Sequence, residues 1–236
     1  MTEREKINRS IESAILNKPN NYVYTTSDLI FFQKYDKCED AGLDEAMVFG
    51  KLWDEAFDMI DGNKAENRFD GKVLVTHGGG GKAITSAPQG ASFHVFNNDY
   101  FCHVITKALT SGRMRDNYMN YDFGSIAEYF YLGNTDGLPQ YDLVITHPPK
   151  QCGLAELDYD ESMSEVAQDN ARVYFAVRGF SFVKQGGAMM VIVPREEYVE
   201  VHEKITNKLV EMEGLSFDFE VPTTTGDDFI LKYTRT

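Results

Sequence analysis

The sequence predicts an α/β protein, a Rossmann-like, mostly parallel sheet with helices on both faces, preceded by a helical segment over residues 1 to 65. Three observations carry this expectation. Short β-branched runs alternate with helical stretches beyond residue 65, two of those runs are almost continuously apolar, and the residues ahead of them repeat apolar side chains at helical spacing.

Taken in chain order, Ile7, Ile11, Ile15 and Leu16 mark a first helix within residues 1 to 18, ended by Lys18, Pro19, Asn20 and Asn21. A second helical region is expected to begin at Ser27 and Asp28, read as an N-cap pair. A third runs from about Leu43 to Ile60, with Met47, Leu52, Trp53, Phe57 and Ile60 apolar, and Asp61-Gly62-Asn63 closes it. Trp53 with Phe57 reads as helix core. Predicted strands are 72–75, 92–96, 141–145 and 188–193. The last two are apolar nearly throughout, the pattern of a strand covered on both faces. Between them Val166, Ala167, Val173, Tyr174, Val177 and Phe180 predict a helix over 164–183, closed by Lys184 to Gly187. Two final runs, 215–221 and 228–233, flank a Pro-Thr-Thr-Thr-Gly-Asp segment and read as an antiparallel pair ending the sheet.

Charge limits the functional classes. With 23 Lys and Arg against 37 Asp and Glu among 236 residues, the net charge of −14 excludes a generally basic nucleic-acid glove, so any contact with phosphate must come from a local patch. The basic groups available are Arg113, Arg115, Lys82, Lys107 and Lys150, while residues 154–164 are acidic. By charge alone, mimicry of DNA is a third-rank reading. Cys38, Cys102 and Cys152 form no CxxC pair, which predicts neither a disulfide framework nor a zinc site, and a reducing cytoplasm follows. His77, His94 and His103 share no metal-ligand spacing, and His94 reads as structural. The start of the chain carries charges of both signs, and no apolar run reaches the roughly 18 residues of a membrane span. The acidic pairs Glu196-Glu197 and Asp227-Asp228 read as solvated ends.

Chemistry is expected at three turns. After the first strand, Thr76-His77-Gly78-Gly79-Gly80-Gly81-Lys82-Ala83 places Gly78, Gly80 and Ala83 in a GxGxxA spacing, where small residues let backbone N–H groups approach a ligand. A triphosphate-binding P-loop would need glycine where Thr76 stands and Ser or Thr where Ala83 stands; a glycine turn without a ligand is the plainer alternative. The second strand ends in Asn97, Asn98 and Asp99, where a nucleoside-binding sheet usually offers a carboxylate to ribose; the same residues make a turn and a helix N-cap. The third strand leads into Thr146-His147-Pro148-Pro149-Lys150, whose prolines fix an extended turn at the carboxyl end of the sheet.

That last segment resembles the Asn-Pro-Pro-aromatic motif, in the setting DLVIxNPPY, of adenine-specific DNA methyltransferases. Further matches occur in the order of that family's gamma group: residues 21–27 with Tyr24, Thr25 and Thr26 are similar to its YTP element, 72–83 to its strand and glycine loop, 93–100 to its second strand, Asp122-Phe123 to its acidic-aromatic element, and 180–194 to its FLKPGGxxxxVVP strand. The resemblance covers roughly residues 20 to 235 and implies a class I methyltransferase fold with a seven-stranded sheet, residues 66–236 forming the core. It implies S-adenosylmethionine as cofactor, held by Tyr24, Thr25, Thr26, His77, Gly78, Gly80, Asn97, Asp99, Asp122 and Phe123, and no metal. It implies methyl transfer to an exocyclic amine of a base, DNA in preference to RNA, as in restriction–modification, at His147, Pro148, Pro149 and Lys150. Here His147 stands for the family's Asn and Lys150 for its aromatic residue. A neutral imidazole offers one acceptor nitrogen and a lysine cannot stack on a flipped base, though it can hold a phosphate. A partner subunit is expected for sequence recognition. The alternative is a catalytically degenerate relative that keeps the fold as a binding or assembly module; in that reading His147 is a turn residue capping a strand.

Overall fold

The computed structural model describes residues 1–19, 21–35, 45–59, 67–111, 119–123, 126, 140–148, 163–212, 214–225 and 228–236. The elements in order are α1 (Glu3–Leu16), α2 (Thr26–Phe32), α3 (Glu45–Met59), β1 (Lys72–Val75), α4 (Lys82–Thr85), β2 (Ser92–Asn97), α5 (Tyr100–Thr110), β3 (Met119–Phe123), β4 (Tyr141–Thr146), α6 (Ser164–Asp169), α7 (Ala171–Phe180), β5 (Val183–Pro194), α8 (Tyr198–Glu211), β6 (Phe217–Thr225) and β7 (Asp228–Arg235). The strands make one seven-stranded sheet in the order β3-β2-β1-β4-β5-β7-β6. β1 to β5 run parallel and β7 is antiparallel to both of its neighbours.

Alternate residues of the central strands feed two cores, which is why these strands read as continuously apolar. Leu74, Val144, Met189 and Val191 join Val173, Tyr174, Phe180 and Ile205 of α7 and α8. Val73, Val75, Leu143, Ile145 and Met190 join Leu52 and Trp53 of α3 and Ile84 of α4 on the opposite face. Lys232, 6% exposed on β7, reaches Glu55 of α3 at 2.8 Å and ties that helix across the sheet. A third cluster packs α1 and α2 on α5 through Ile11, Ile15, Phe32, Tyr35, Cys102 and Ile105.

Several boundaries differ from those predicted. The cap of α2 is Thr25 rather than the Ser27-Asp28 pair: Thr25 Oγ1 accepts from Asp28 N at 3.3 Å while Asp28 Oδ2 accepts from Thr25 N at 2.8 Å. The helix expected over 164–183 is two helices, because Asn170 leaves the helical conformation and its side chain caps α7 by accepting from Arg172 N and Val173 N. Lys184 to Gly187 do not close a helix. They belong to β5, in a stretch where its register with β4 jumps from Tyr141↔Val183 to Leu143↔Ala188. β3, Met-Asn-Tyr-Asp-Phe at the sheet edge, lacks the β-branched signature, and the sequence predicts no strand there. Among the described residues no helix is long and apolar enough to cross a membrane, and no cluster of three potential metal ligands occurs.

Candidate functional site

The strand order reverses between β1 and β4: chain progress runs outward through β2 and β3 on one side and through β5 on the other. Such a switch point leaves a crevice beyond the carboxyl ends of the strands, at the rim of the sheet. β1 and β4 pair in parallel, Val75 opposite Ile145, so the glycine bend and the proline turn emerge side by side. Two bonds join them: Thr76 N donates to Ile145 O at 3.1 Å, and buried Thr76 Oγ1 donates to buried Thr146 Oγ1 at 2.9 Å.

That second bond also fixes the state of His77. Its Nδ1 lies 2.9 Å from the same Thr76 oxygen; with the Thr76 proton given to Thr146, the tautomer that completes this chain protonates Nδ1 and leaves Nε2 as an acceptor. The ring retains partial surface exposure but stands edge-on to Phe175, 4.4 Å between centroids. Burial pulls its pKa down to about 3, and a proton on His147 and then the Arg172 guanidinium act in the same direction. His77 is neutral near pH 7.

The bend itself is shaped by contacts within the protein. Gly79 and Gly81 take left-handed φ of 48° and 81°. A Cβ on Gly78 would lie 2.6 Å from Val95 Cγ1 and 2.7 Å from Asn97 Nδ2, so only glycine fits there. Gly78 N donates to Phe96 O, and Gly81 N to Gly78 O, each at 2.8 Å. The N–H groups of Gly79 and Gly80 make no hydrogen bond among the described residues. Two such donors on a glycine bend suit a carboxylate or phosphate oxygen. Lys82 Nζ is held on Gln33 O at 2.9 Å, and Trp53 Nε1 donates to Ala83 O at 2.8 Å.

At the end of β2, the amide nitrogen of Asn97, a residue expected to face a ribose, turns into the protein. It is 6% exposed, and its Nδ2 donates to Thr106 Oγ1 at 3.2 Å; that hydroxyl donates to Gly79 O at 3.0 Å. The side chain therefore braces the bend. Asp99 caps α5, Oδ1 accepting from Cys102 N at 2.8 Å. Asp122 and Phe123 pair in register with Phe96 and Asn97, which puts the end of β3 at the same edge of the sheet.

Tyr24, Thr25 and Thr26 lie at the far end of α2 from the bend. Thr25 is the cap described above, and the Tyr24 ring packs on Tyr22 and Phe32 at 5.4 and 4.9 Å. The opposite end of α2 meets the bend through Gln33 and Tyr35, whose carbonyl would be 3.2 Å from a Cβ on Gly80. Seven residues of helix separate the two ends, about 10 Å at 1.5 Å per residue.

On the proline turn, His147 faces Phe49 of α3 at 6.4 Å between rings. Pro148 is buried and its carbonyl accepts from Arg172 Nη1 at 2.6 Å. Arg172 is 1% exposed, and its Nε donates to Glu197 Oε2 at 3.1 Å. This pair, buried at Arg172 and half-buried at Glu197, is the feature of the proline turn that sequence reasoning missed. Its one signal was an arginine set among apolar and aromatic residues in the first two turns of the helix, Ala-Arg-Val-Tyr-Phe-Ala-Val. Glu197 is accordingly no solvated end, nor is Asp228, 5% exposed. His94 is structural as expected, its Nδ1 2.7 Å from Tyr141 Oη. Pro149 and Lys150 lie outside the described residues, as do Arg113, Arg115, Cys38, Cys152, Asp227 and residues 154–162.

No family model matches the chain, and no curated protein does. Solved structures do. A protein of Listeria monocytogenes assigned to the class I S-adenosylmethionine-dependent methyltransferases aligns with a TM-score of 0.57 at 12% identity, over 98% of this chain and 68% of its own. An O-methyltransferase of Bacillus cereus, in complex with SAH, aligns at 0.51 and 9% identity over 98% and 90%. A ribosomal protein L11 methylase of Lactobacillus delbrueckii subsp. bulgaricus aligns at 0.50 and 11% identity over 82% and 80%. At such identities the likeness is one of fold: the chain has the class I methyltransferase fold.

Proposed function

We propose that the protein is an S-adenosylmethionine-dependent methyltransferase whose acceptor is an exocyclic amine of a nucleic-acid base, adenine N6 of DNA in the group its sequence resembles. The observation that carries the reading is the Thr76–Thr146 junction, which holds the glycine bend and the proline turn side by side at the switch point of the sheet. The residues fit the cofactor in part. The N–H groups of Gly79 and Gly80, which make no hydrogen bond among the described residues, support a role in holding its carboxylate. Asp122 and Phe123 stand at the edge where its nucleoside would lie, whereas Asn97 is turned to Thr106. When bound, the sulfonium supplies an activated methyl group.

The chain's own task is to orient the amine and accept its hydrogens as nitrogen becomes positive. The Pro148 carbonyl gives one lone pair to Arg172 and keeps the second for the amine. His147 is the other acceptor and takes up the proton. Pro149 and Lys150 complete the turn, Lys150 meeting phosphate. A net charge of −14 calls for a partner subunit to supply target recognition, and three cysteines without a CxxC pair fit a cytoplasmic setting. The Arg172 and Thr106 bonds also favour a second reading, a relative that keeps the fold as a binding module.

Calorimetry and thermal shift with S-adenosylmethionine, followed by methyl transfer to adenine-containing DNA and RNA, test both. Binding with transfer, and transfer lost in His147→Ala, is the expected result. Binding without transfer leaves the module; neither heat nor stabilisation at millimolar cofactor refutes the methyltransferase reading.

A further inference from the structure

A second site lies along α5, apart from the rim. A cleft of about 540 Å³ runs between one face of α5, the end of α1 and the segment leading into α2. Tyr100, His103, Lys107 and Ser111 line it at helical spacing from one side, with Lys18, Tyr22, Val23 and Tyr24 opposite. No residue of the glycine bend or the proline turn contributes, so Tyr24 belongs to this cleft.

Its chemistry departs from that of the molecule. In a chain with 37 acidic residues against 23 basic ones, the cleft lining holds two lysines, a histidine and three tyrosines and no Asp or Glu. Lys107 is exposed and has no ion pair among the described residues. Lys18 sits 4.0 Å above the Tyr22 ring, with Asp28 as a marginal partner at 4.0 Å. Tyr100 and Val23 remain 46% and 85% exposed, so apolar surface is presented to solvent at the cleft. Cations to meet a phosphate, beside tyrosine faces to meet a base, in a volume within the roughly 300–1,000 Å³ of small-ligand sites, form a matched set.

We propose that this cleft binds a nucleoside monophosphate unit, either a free nucleotide or one residue of a single nucleic-acid strand. The site stands whether or not the rim transfers methyl groups. The test titrates the full chain with adenosine monophosphate and with a short single-stranded oligonucleotide, at low and moderate salt. Lys107→Glu and Tyr100→Ala, both at exposed positions of α5, should each weaken binding at least about fivefold, the lower end of what losing one base–aromatic stack does. Lys208→Glu on α8, the charge-matched control, should not, and thermal stabilisation by S-adenosylmethionine should be the same in all three variants. Equal affinity for the two probes identifies a free nucleotide; tighter, more salt-sensitive binding of the oligonucleotide identifies a strand. The proposal is overturned if neither probe saturates at millimolar concentration, if inorganic phosphate competes as well as the nucleotide, or if Lys208→Glu weakens binding as much as Lys107→Glu. It is equally overturned if binding ignores both α5 substitutions, since the probe then sits elsewhere, the rim included.

Discussion

The substitution His77→Asn should flatten the acid limb of the stability curve. In the folded chain the His77 pKa is held at about 3, chiefly by burial, against an ordinary value of 6.5. Because the folded value is the lower one, the unfolded chain takes up the proton first. The stability tied to a neutral His77 is therefore fully present above about pH 6.5 and is lost as pH falls toward about 3. Within that window the slope approaches about 1.4 kcal/mol per pH unit. From about pH 7 to about pH 5 the loss amounts to about 2 kcal/mol, a ceiling because the ring keeps some surface exposure. An asparagine has a side-chain N–H to offer Thr76 Oγ1 in place of Nδ1 but has no proton to take up in this range. Asp28 and Asp70, which hydrogen bonds from Thr25 and Arg68 hold below the usual carboxylate range, titrate in both proteins and cancel in the difference. Urea denaturation of the two proteins across this range gives the difference directly. Parallel curves for the unsubstituted protein and the His77→Asn variant would show that the imidazole is not held neutral, and the assignment of Nε2 as an acceptor at the rim would go with it.

Three further substitutions test the packing and the backbone. Arg172→Met leaves Glu197 and the Pro148 carbonyl without their donor and should cost about 3–5 kcal/mol in urea denaturation, with Arg172→Met/Glu197→Gln together costing less than the sum of the singles; a loss below about 1 kcal/mol would contradict a buried pair. Gly78→Ala and Gly50→Ala should have opposite signs: the first forces a Cβ onto Val95 and Asn97 and costs about 1–3 kcal/mol, whereas the second meets nothing within 4 Å in α3 and should stabilise by about 0.5–1 kcal/mol in thermal or urea melts.

The sheet was legible because its central strands bury both faces, so Tyr141 to Thr146 and Ala188 to Val193 announce themselves by composition alone. The antiparallel closing pair was legible for a different reason, the Pro-Thr-Thr-Thr-Gly-Asp turn signal that its two runs flank. β3 was not: an edge strand packs on one neighbour only, and Met-Asn-Tyr-Asp-Phe carries no periodicity that a loop would lack. The break at Asn170 was hidden because the apolar spacing continues across it and only the cap geometry reveals it. At the site, the bend and the turn could be placed from sequence, since strand-glycine and strand-proline junctions are local signals. What each side chain bonds to could not. Asn97 and Arg172 acquire their partners, Thr106 and the Pro148 carbonyl, from segments nine and 24 residues away, and no spacing rule encodes those pairs.

These partners explain how four consecutive glycines hold one conformation. Glycine loses more backbone freedom on folding than any other residue, so a tetraglycine run left to itself would be poorly ordered. Here Thr106 and Asn97 grip the bend from α5 and β2, Gly78 N is fixed on Phe96 O, and Lys82 and Ala83 are held by Gln33 and Trp53. None of these contacts uses the N–H of Gly79 or Gly80. The bracing thus orders the bend while leaving two donors available, which is the arrangement that lowers the entropic penalty of binding a carboxylate or phosphate there. By the same argument Asn97, through its bond to Thr106, acts on the shape of the loop that any ligand of the bend would meet.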